Sequence, residues 1–294
     1  MRNGLLFTLL ASLVLTAFGE DAPIKHKLML FEYGPAGNRF VELDADGKIV
    51  WQFKPKSIAV IFQALPNGNI VYAYGGNPTG VVEINHKEEV VWSYVSKCQQ
   101  VLGCDRLPDG NTLVAEQGPA QVVEVDPKGN VVHTTTLTTD EKHFHRQVRN
   151  VHKLKNGHIL AAHEGDGTIR EYDADSKVVW EYKGVENTGE AVRLDNGNTL
   201  ICGATTKRLF EVTPEGKTVW EFKAEDAPEL NLTWVSSVQL LPNGNYLAGN
   251  FIRGQEGKGV HAFEVTKDKK VVWTFADHKQ IKSLTTVRAI DDGK

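Results

Sequence analysis

The sequence predicts an all-β fold, a six-bladed β-propeller of four-stranded antiparallel blades, and two repeated phrases predict it. In the first phrase a glutamate is followed nine residues later by tryptophan, or by histidine in one copy. It begins at Glu42, Glu83, Glu124, Glu171, Glu211 and Glu264. The second phrase, of the form LPNGN, alternates with the first and begins at Leu65, Leu107, Leu154, Leu194, Leu241 and Ile290. A period of about 40–50 residues with four short strands per unit is typical of propellers.

Each unit divides into four strands, which we name A to D. Strand A precedes the LPNGN phrase and strand B follows it, so a tight Asn-Gly or Asp-Gly turn joins them. Strand C carries the repeated glutamate and strand D the tryptophan. The mature chain, after a predicted signal peptide, opens with HKLMLFEYG at residues 26–34, a strand B without a strand A. It closes with LTTVRAIDDGK, a strand A without a strand B. We therefore predict that N-terminal strands pair with the C-terminal inner strand, which closes the ring and removes exposed sheet edges.

Residues 1–19 have the pattern of a secretory signal peptide. Arg2 provides the positive charge, Leu5 to Phe18 is apolar, and the stretch ends in a small-x-small cleavage pattern. A membrane anchor is the alternative, but the apolar run is shorter than the ~20 residues that a span needs. Residues 20–25 then form a short linker and residues 26–294 the propeller. We predict a periplasmic or secreted protein with no membrane span in the mature chain.

Charge and cysteine content narrow the possible partners. The net charge of −4 argues against nucleic acid, because phosphate binding requires a concentrated basic face. Export permits disulfides, and the spacing leaves open whether Cys98 and Cys104 pair. Cys202 falls where other blades carry alanine or glycine, which indicates a small buried filler. We expect a monomer.

Two motifs resemble those of known propeller families. The stretches DADGKIVW at 44–51 and TPEGKTVW at 213–220 resemble the tryptophan-docking motif of quinoprotein-like propellers built from PQQ-like repeats. The LPNGN phrase resembles the repeats of arylsulfotransferase-like propellers. The resemblance implies tryptophans that pack blade against blade. It does not imply a quinone, since the chain has six units and no adjacent cysteine pair, and we predict no cofactor. An arylsulfotransferase would carry a nucleophilic histidine near the channel.

The lengths of the connections distinguish the two faces of the ring. The A-to-B and C-to-D turns are short and nearly constant, whereas the D-to-A and B-to-C connections vary widely. In an antiparallel blade the first pair lies on one face, here named the short-turn face, and the second pair on the other, the variable-loop face. Function is concentrated on loops held by a rigid scaffold. We therefore expect the site at the variable-loop face and its channel mouth.

The inner strands alternate between polar and apolar positions. Residues two and four positions before the turn leucine are mostly polar, and those three positions before it are apolar or cysteine. This alternation predicts a polar channel that holds either a ligand or only ordered water. The lining residues that we select are Asp105, Asn150, His152, Glu190, Gln239 and Arg288.

A second group of candidates lies on loops or strand ends of the variable-loop face. Trp234 either stacks on a ligand ring or plugs the channel mouth. The other members are Glu116, His143, His145, Arg146 and Glu164. The histidines could in principle bind a metal, but their spacing does not bring them together, so we predict no metal site.

Two functional hypotheses follow. The first is an exported binding module that recognises a small molecule, a glycan or a protein at the variable-loop face. The alternative is a propeller enzyme of sulfotransferase, hydrolase or lyase type. In that case His152 is the nucleophile or base, and Arg149 and Arg288 stabilise developing negative charge. The enzyme hypothesis requires His145, Glu190 and these three residues to meet in one pocket.

Overall fold

A computed structural model of the chain describes residues 25–34, 37–252 and 254–290, so the predicted signal peptide and most of the predicted linker lie outside the described residues. These ranges contain strands and three short 3₁₀ helices, Phe144–Arg146, Ala224–Asp226 and Pro228–Leu230. No helix in them is long and apolar enough to cross a membrane. The strands, in chain order, are β1 (Leu28–Glu32), β2 (Arg39–Leu43), β3 (Ile49–Phe53), β4 (Ala59–Ala64), β5 (Ile70–Tyr74), β6 (Thr79–Ile84), β7 (Val90–Ser96), β8 (Gln100–Arg106), β9 (Thr112–Gln117), β10 (Gln121–Val125), β11 (Val131–Thr136), β12 (Asn150–Lys153), β13 (Ile159–His163), β14 (Thr168–Tyr172), β15 (Val178–Lys183), β16 (Ala191–Arg193), β17 (Thr199–Cys202), β18 (Arg208–Val212), β19 (Thr218–Lys223), β20 (Val235–Leu240), β21 (Tyr246–Asn250), β22 (Ala262–Val265), β23 (Val271–Phe275) and β24 (Leu284–Ala289).

The strands form six four-stranded antiparallel sheets, which confirms the predicted propeller. Five sheets consist of consecutive strands, and the sixth has the order β24-β1-β2-β3. We number this shared sheet blade 1 and the following sheets, which start with β4, β8, β12, β16 and β20, blades 2 to 6. The sheet of blade 1 joins the two ends of the chain and closes the ring as predicted.

The hydrogen bond that closes the A-to-B hairpins of the other blades is also present in blade 1. In blade 2 the turn is closed by a hydrogen bond of 2.8 Å from the backbone nitrogen of Leu65 to the carbonyl oxygen of Asn69. In blade 1 the backbone nitrogen of Ile290 donates to the carbonyl oxygen of Lys27 at 2.9 Å, although these two residues come from opposite ends of the chain. The shared blade therefore has the same local geometry as a continuous one.

The nine-residue step from glutamate to tryptophan follows from the C-to-D hairpin. In every blade the glutamate lies directly opposite the tryptophan, or opposite His133 in blade 3. A β-bulge follows the glutamate in all six hairpins. Because the bulge and the turn have a constant length, the spacing in the sequence is constant as well.

The repeated glutamate fastens each blade to the next one. In blades 2 to 6 it accepts a hydrogen bond from the A-to-B turn of its own blade, for example at 2.6 Å from Nδ2 of Asn69 to Oε1 of Glu83. It also pairs with a basic side chain of the following blade. The six pairs are Glu42–His86, Glu83–Arg106, Glu124–Lys153, Glu171–Arg193, Glu211–Lys267 and Glu264–His26. A residue required in every blade is thus structural.

Apolar side chains fill the seams between blades. The second and third strands of each blade are almost wholly buried, because neighbouring sheets cover both of their faces. Tryptophans of the outer strands reach across the seams. The indole nitrogens of Trp51, Trp180 and Trp220 donate to turn carbonyls of the next blade at 3.0, 2.7 and 2.7 Å. The three cysteines are unpaired, so the structure contains no Cys98–Cys104 disulfide.

Candidate functional site

A cavity of about 760 Å³ lies at the centre of the ring and opens at the short-turn face. Its mouth is lined by Leu65, Pro66 and Gly68 of an A-to-B turn and by His86 of a C-to-D turn. Both kinds of turn belong to the short-turn face. The cavity is therefore on the opposite face from the one that loop variation indicates.

One side of this cavity is polar and centres on His152. Its Nδ1 lies 3.4 Å from Oδ2 of Asp105 on the neighbouring blade 3. Its Nε2 lies 3.8 Å from Oε1 of Glu190 on blade 5. The imidazole is thus flanked by two carboxylates supplied by the blades on either side. His152 retains 28% of its side-chain exposure, so one part of the ring faces the open cavity.

Glu190 is the buried centre of the network. Nη2 of Arg288 donates to its Oε1 at 2.6 Å across the channel, and Nδ2 of Asn150 donates to the same oxygen at 3.1 Å. The backbone nitrogen of Val238 donates to Oε2 at 2.9 Å. The carboxylate is only 2% exposed. Four blades therefore meet at one side chain, which fixes the positions of His152 and Arg288.

The contacts within the network favour the charged forms of both His152 and Glu190. Burial alone would lower the pKa of His152, but contact with the carboxylates of Asp105 and Glu190 outweighs burial and raises the pKa to about 10. Burial would raise the pKa of Glu190, whereas the charges of Arg288 and His152 bring that pKa below its usual value. Two cations and two carboxylates thus face one another, and the polar side is electrically balanced near neutral pH.

This balance predicts a pH dependence of stability. Because the folded-state pKa of His152 is raised, its stabilising contribution is complete below the unfolded value of about 6.5 and is lost as pH rises through about 10. The difference in free energy of unfolding between the wild type and His152→Gln should therefore shrink between pH 7 and pH 10.5. Denaturant unfolding measures this difference. His133→Gln, on an exposed outer strand, controls for alkaline effects elsewhere. A gap that stays constant with pH would contradict a cationic His152.

The remaining cavity wall is largely apolar. Leu65, Val192, Leu240 and Ile290 line the cavity, and none of them is among the lining residues predicted from the sequence. The predicted residue Gln239 also lines the cavity, but its side-chain amide hydrogen-bonds the backbone of Ala289 on the next blade. Its Nε2 donates to the carbonyl oxygen at 3.2 Å, and its Oε1 accepts from the backbone nitrogen at 2.8 Å. Gln239 therefore joins neighbouring inner strands and leaves the charged network as the main polar feature of the wall.

Two of the residues expected to join His152 lie elsewhere. Arg149 forms an ion pair with Glu164, and burial together with neighbouring Arg146 lowers the pKa of Arg149 to about 10. Nδ1 of His145 lies 2.8 Å from Oε1 of Gln100. Neither Arg149 nor His145 lines the cavity. Only three of the five residues that the enzyme hypothesis requires, His152, Glu190 and Arg288, therefore meet in the cavity, so the five-residue pocket of that hypothesis is not formed.

The other variable-loop candidates also have local partners. Oε1 of Glu116 accepts a hydrogen bond of 2.5 Å from the hydroxyl of Ser96. The ring of His143 stacks on Phe144 with ring centroids 5.3 Å apart. Arg146 lies 3.5 and 3.6 Å from carboxylate oxygens of Glu141 and Glu164. Half-buried Trp234 contacts Phe251 edge-on at 6.4 Å. These contacts tie the candidates into the loops of that face.

The charged residues of the cavity pair with one another and do not form a metal site. Within the described ranges, no group of three or more His, Cys, Asp or Glu side chains is placed to hold a metal ion. Glu190 is already paired with Arg288 and His152, so it is a poor ligand for a hard cation such as Ca²⁺.

Comparison with known proteins agrees with the architecture. Residues 26–161 match the family model PQQ_2, described as outer membrane protein assembly factor BamB. A solved structure of a protein of unknown function from Bacteroides caccae is 25% identical, with a TM-score of 0.79 over 90% of this chain and 98% of that chain. No curated protein matches the sequence significantly.

Two lyases share the fold at much lower identity. A streptogramin B lyase is 11% identical, with a TM-score of 0.60 over 88% of this chain and 86% of that one. A catalytically inactive variant of virginiamycin B lyase from Staphylococcus aureus, solved with quinupristin, is 9% identical. Its TM-score is 0.59 over 85% of this chain and 84% of that one. The chain is thus a six-bladed β-propeller, as its repeats predict, and residues 26–161 are similar to propellers built from PQQ-like repeats.

Proposed function

We propose that the chain is an exported binding protein whose small-molecule ligand enters the axial cavity from the short-turn face. The observation that carries this proposal is the cavity itself, whose volume of about 760 Å³ lies within the range of small-molecule sites. Such sites combine a mainly apolar wall with a few fixed polar groups. Here the wall is formed by residues such as Leu65 and Leu240, and the polar groups are those around His152.

The charge balance supports an uncharged ligand. Asp105 offers an acceptor, whereas His152 and Arg288 offer donors, and each faces the cavity with part of its side chain exposed. An additional buried charge would have no counter-ion in this network and would be costly. Hydroxyl and amide groups can donate and accept without adding charge. They are therefore the polar groups that this network fits best.

The electrostatics favour binding over base catalysis. A general base must be unprotonated at the working pH. Asp105 and Glu190 instead raise the pKa of His152 to about 10, which keeps the imidazole cationic near neutrality. Glu190 is occupied by three hydrogen bonds. The polar groups are thus rigid and charged, which suits orientation of a ligand.

A binding screen tests the proposal. Uncharged small molecules that carry hydroxyl or amide groups, including glycosides and short blocked peptides, are screened for a shift in melting temperature and followed by calorimetry. We expect Asp105→Asn and His152→Gln to weaken any hit about 10- to 100-fold, because each removes a charge-assisted hydrogen bond. Lys155→Ala is the matched control, since Lys155 is 90% exposed on a short turn outside the cavity. Hits that bind both cavity variants as tightly as the wild type would overturn the assignment.

One observation keeps an enzyme as the second candidate. Asp105 orients Nδ1 of His152 at 3.4 Å, as an orienting carboxylate does in hydrolytic sites. A cationic His152 would act as a general acid that protonates a leaving group. The two lyases share only the fold at 9–11% identity, yet their named substrate class supplies a reasonable test. Incubation with quinupristin and with aryl sulfate substrates, analysed by chromatography, should show turnover that His152→Gln abolishes if this candidate is correct. No turnover by the wild type would leave the binding role.

A further inference from the structure

The blades differ at the position just before the turn leucine. In blades 3, 4 and 5 this position holds Arg106, Lys153 and Arg193, and each long side chain reaches back to the repeated glutamate of the preceding blade, at 2.9, 2.6 and 2.7 Å. Blades 1, 2 and 6 carry Ala289, Ala64 and Leu240 there. None of these three can reach a glutamate. At this one position, three consecutive blades therefore carry a basic side chain and the other three carry an apolar one.

At the seam between blades 1 and 2, the short side chain of Ala64 leaves space. Ala64 ends at its Cβ, so Glu42 is paired instead by His86 from the outer turn of blade 2, at 2.5 Å. The His86 ring is held from the side by Trp51, with ring centroids 5.0 Å apart. An arginine at position 64 would occupy the volume between the channel and Glu42. With alanine there, the central cavity continues into this seam.

The lining of the cavity shows this extension. Besides the polar network, it includes Met29 and Glu42 of blade 1 and Ile70 and His86 of blade 2. Met29 and Ile70 are its apolar lining residues. Glu42 and His86 pair with each other, with Nε2 of His86 2.5 Å from Oε2 of Glu42. The extension thus requires no polar group from a ligand, in contrast to the network around His152.

We propose that this extension, the blade 1–2 pocket, is a specificity subsite for a slim apolar group, such as an alkyl chain or a single ring, of an amphiphilic ligand. The uncharged polar head of the same ligand contacts Asp105, His152 and Arg288, so the inference rests on the proposed function and deepens it. Alanine at position 64 determines the specificity, because it leaves the volume that arginine or lysine fills in blades 3 to 5. The ligand class is a neutral hydroxylated or amide-bearing amphiphile.

A homologous series of probes tests this subsite. Alkyl β-D-glucosides from methyl to octyl, each below its micellar concentration, are titrated by calorimetry into the wild type and into Ala64→Arg and Ala64→Lys. We expect wild-type affinity to rise about fourfold per methylene until the pocket is filled. Both variants should bind methyl glucoside as the wild type does but lose the gain with chain length, at least tenfold for octyl glucoside. Their melting temperatures should not fall, because the new cation can pair with Glu42.

Controls separate the subsite from the proposed function. Thr134→Arg adds the same charge on the exposed outer strand of blade 3 and should leave the series unchanged. Chain-length dependence that persists in both Ala64 variants, or is absent from the wild type, overturns the subsite. If no glucoside binds while the screen yields ligands sensitive to His152→Gln, the subsite fails and the binding function stands. If glucosides bind with chain-length dependence and equal affinity in His152→Gln and Asp105→Asn, the polar network is not the head-group site, and the proposed function fails.

Discussion

Replacing Glu190 with leucine is expected to lower the free energy of unfolding by about 3–5 kcal/mol, the usual cost of removing one partner from a buried ion pair. The side chain is 2% exposed and accepts hydrogen bonds from Arg288, Asn150 and the backbone of Val238. Leucine would leave the guanidinium of Arg288 and the imidazole of His152 facing each other without their shared counter-ion. Denaturant titration of wild type and variant at pH 7 measures the effect.

A double-variant cycle tests whether the charge is responsible. Arg288→Met combined with Glu190→Leu removes both charges and should recover part of the loss, because apolar side chains of similar size can replace a buried pair. Glu221→Gln provides the surface comparison. Its partner Arg208 lies 2.8 Å away, but both side chains are more than 20% exposed, so we expect a loss below about 1 kcal/mol. Equal losses at Glu190 and Glu221 would show that the central network adds no special stability.

Most of the fold could be predicted because its constraints are local and repeated. The hairpin that pairs Glu42 with Trp51 recurs with one length, so a count of its copies yields the number of blades. Closure could be predicted as well, because an unpaired strand B at one end and an unpaired strand A at the other complete one sheet. The first inference needs only the period of the repeat, and the second needs only the match between the two unpaired terminal strands.

The polar lining could also be predicted, but only for residues in one strand register. Asn150 and His152 are two positions apart, so their side chains lie on the same side of β12. Arg149 is offset by an odd number from both, precedes the strand, and pairs with Glu164. Proximity in sequence therefore does not bring Arg149 into the cavity with His152. The period of two separates the residues that share the cavity from those that do not.

The face of the cavity could not be predicted from loop lengths. Long loops show where the chain tolerates variation, whereas the position of an opening depends on the volume of the side chains around the axis. Here the deciding residues are small ones, such as Ala64 and Ala289 at the position where blades 3 to 5 carry arginine or lysine. The difference is visible in the repeated phrases of the sequence, but it becomes meaningful only when the glutamates that those cations reach are known.

The second large effect on stability is expected from opening the ring. Ring closure places strand β1 in the seams on both sides of blade 1. Leu28 and Leu30 pack with the apolar cluster that contains Leu247 of blade 6. Met29 and Phe31 pack with the cluster that contains Phe62 of blade 2. All four side chains are at most 1% exposed. A single strand therefore contributes to the packing on both sides of blade 1.

Deleting residues 20–34 should for this reason abolish cooperative folding of the monomer. Losing four buried apolar side chains at about 1.5–3 kcal/mol each amounts to roughly 6–12 kcal/mol, which is comparable with the whole stability of a typical domain. The deletion also exposes the edges of β2 and β24, which can then pair with other chains. Calorimetry should show no sharp transition, and size-exclusion chromatography should show aggregates.

A circular permutant distinguishes loss of the strand from interruption of the chain. It begins at Ser57, in the connection between β3 and β4, and joins residue 294 to Lys25 through a short Gly-Ser linker. This chain keeps β1 and makes blade 1 continuous, and the existing hydrogen bond from Ile290 to Lys27 already places the two ends in turn geometry. We expect a folded monomer that melts close to the wild type. A deletion variant that melts like the wild type would contradict the role of β1 in closure. A permutant that fails to fold would show that closure depends on more than the pairing of β1 with β24.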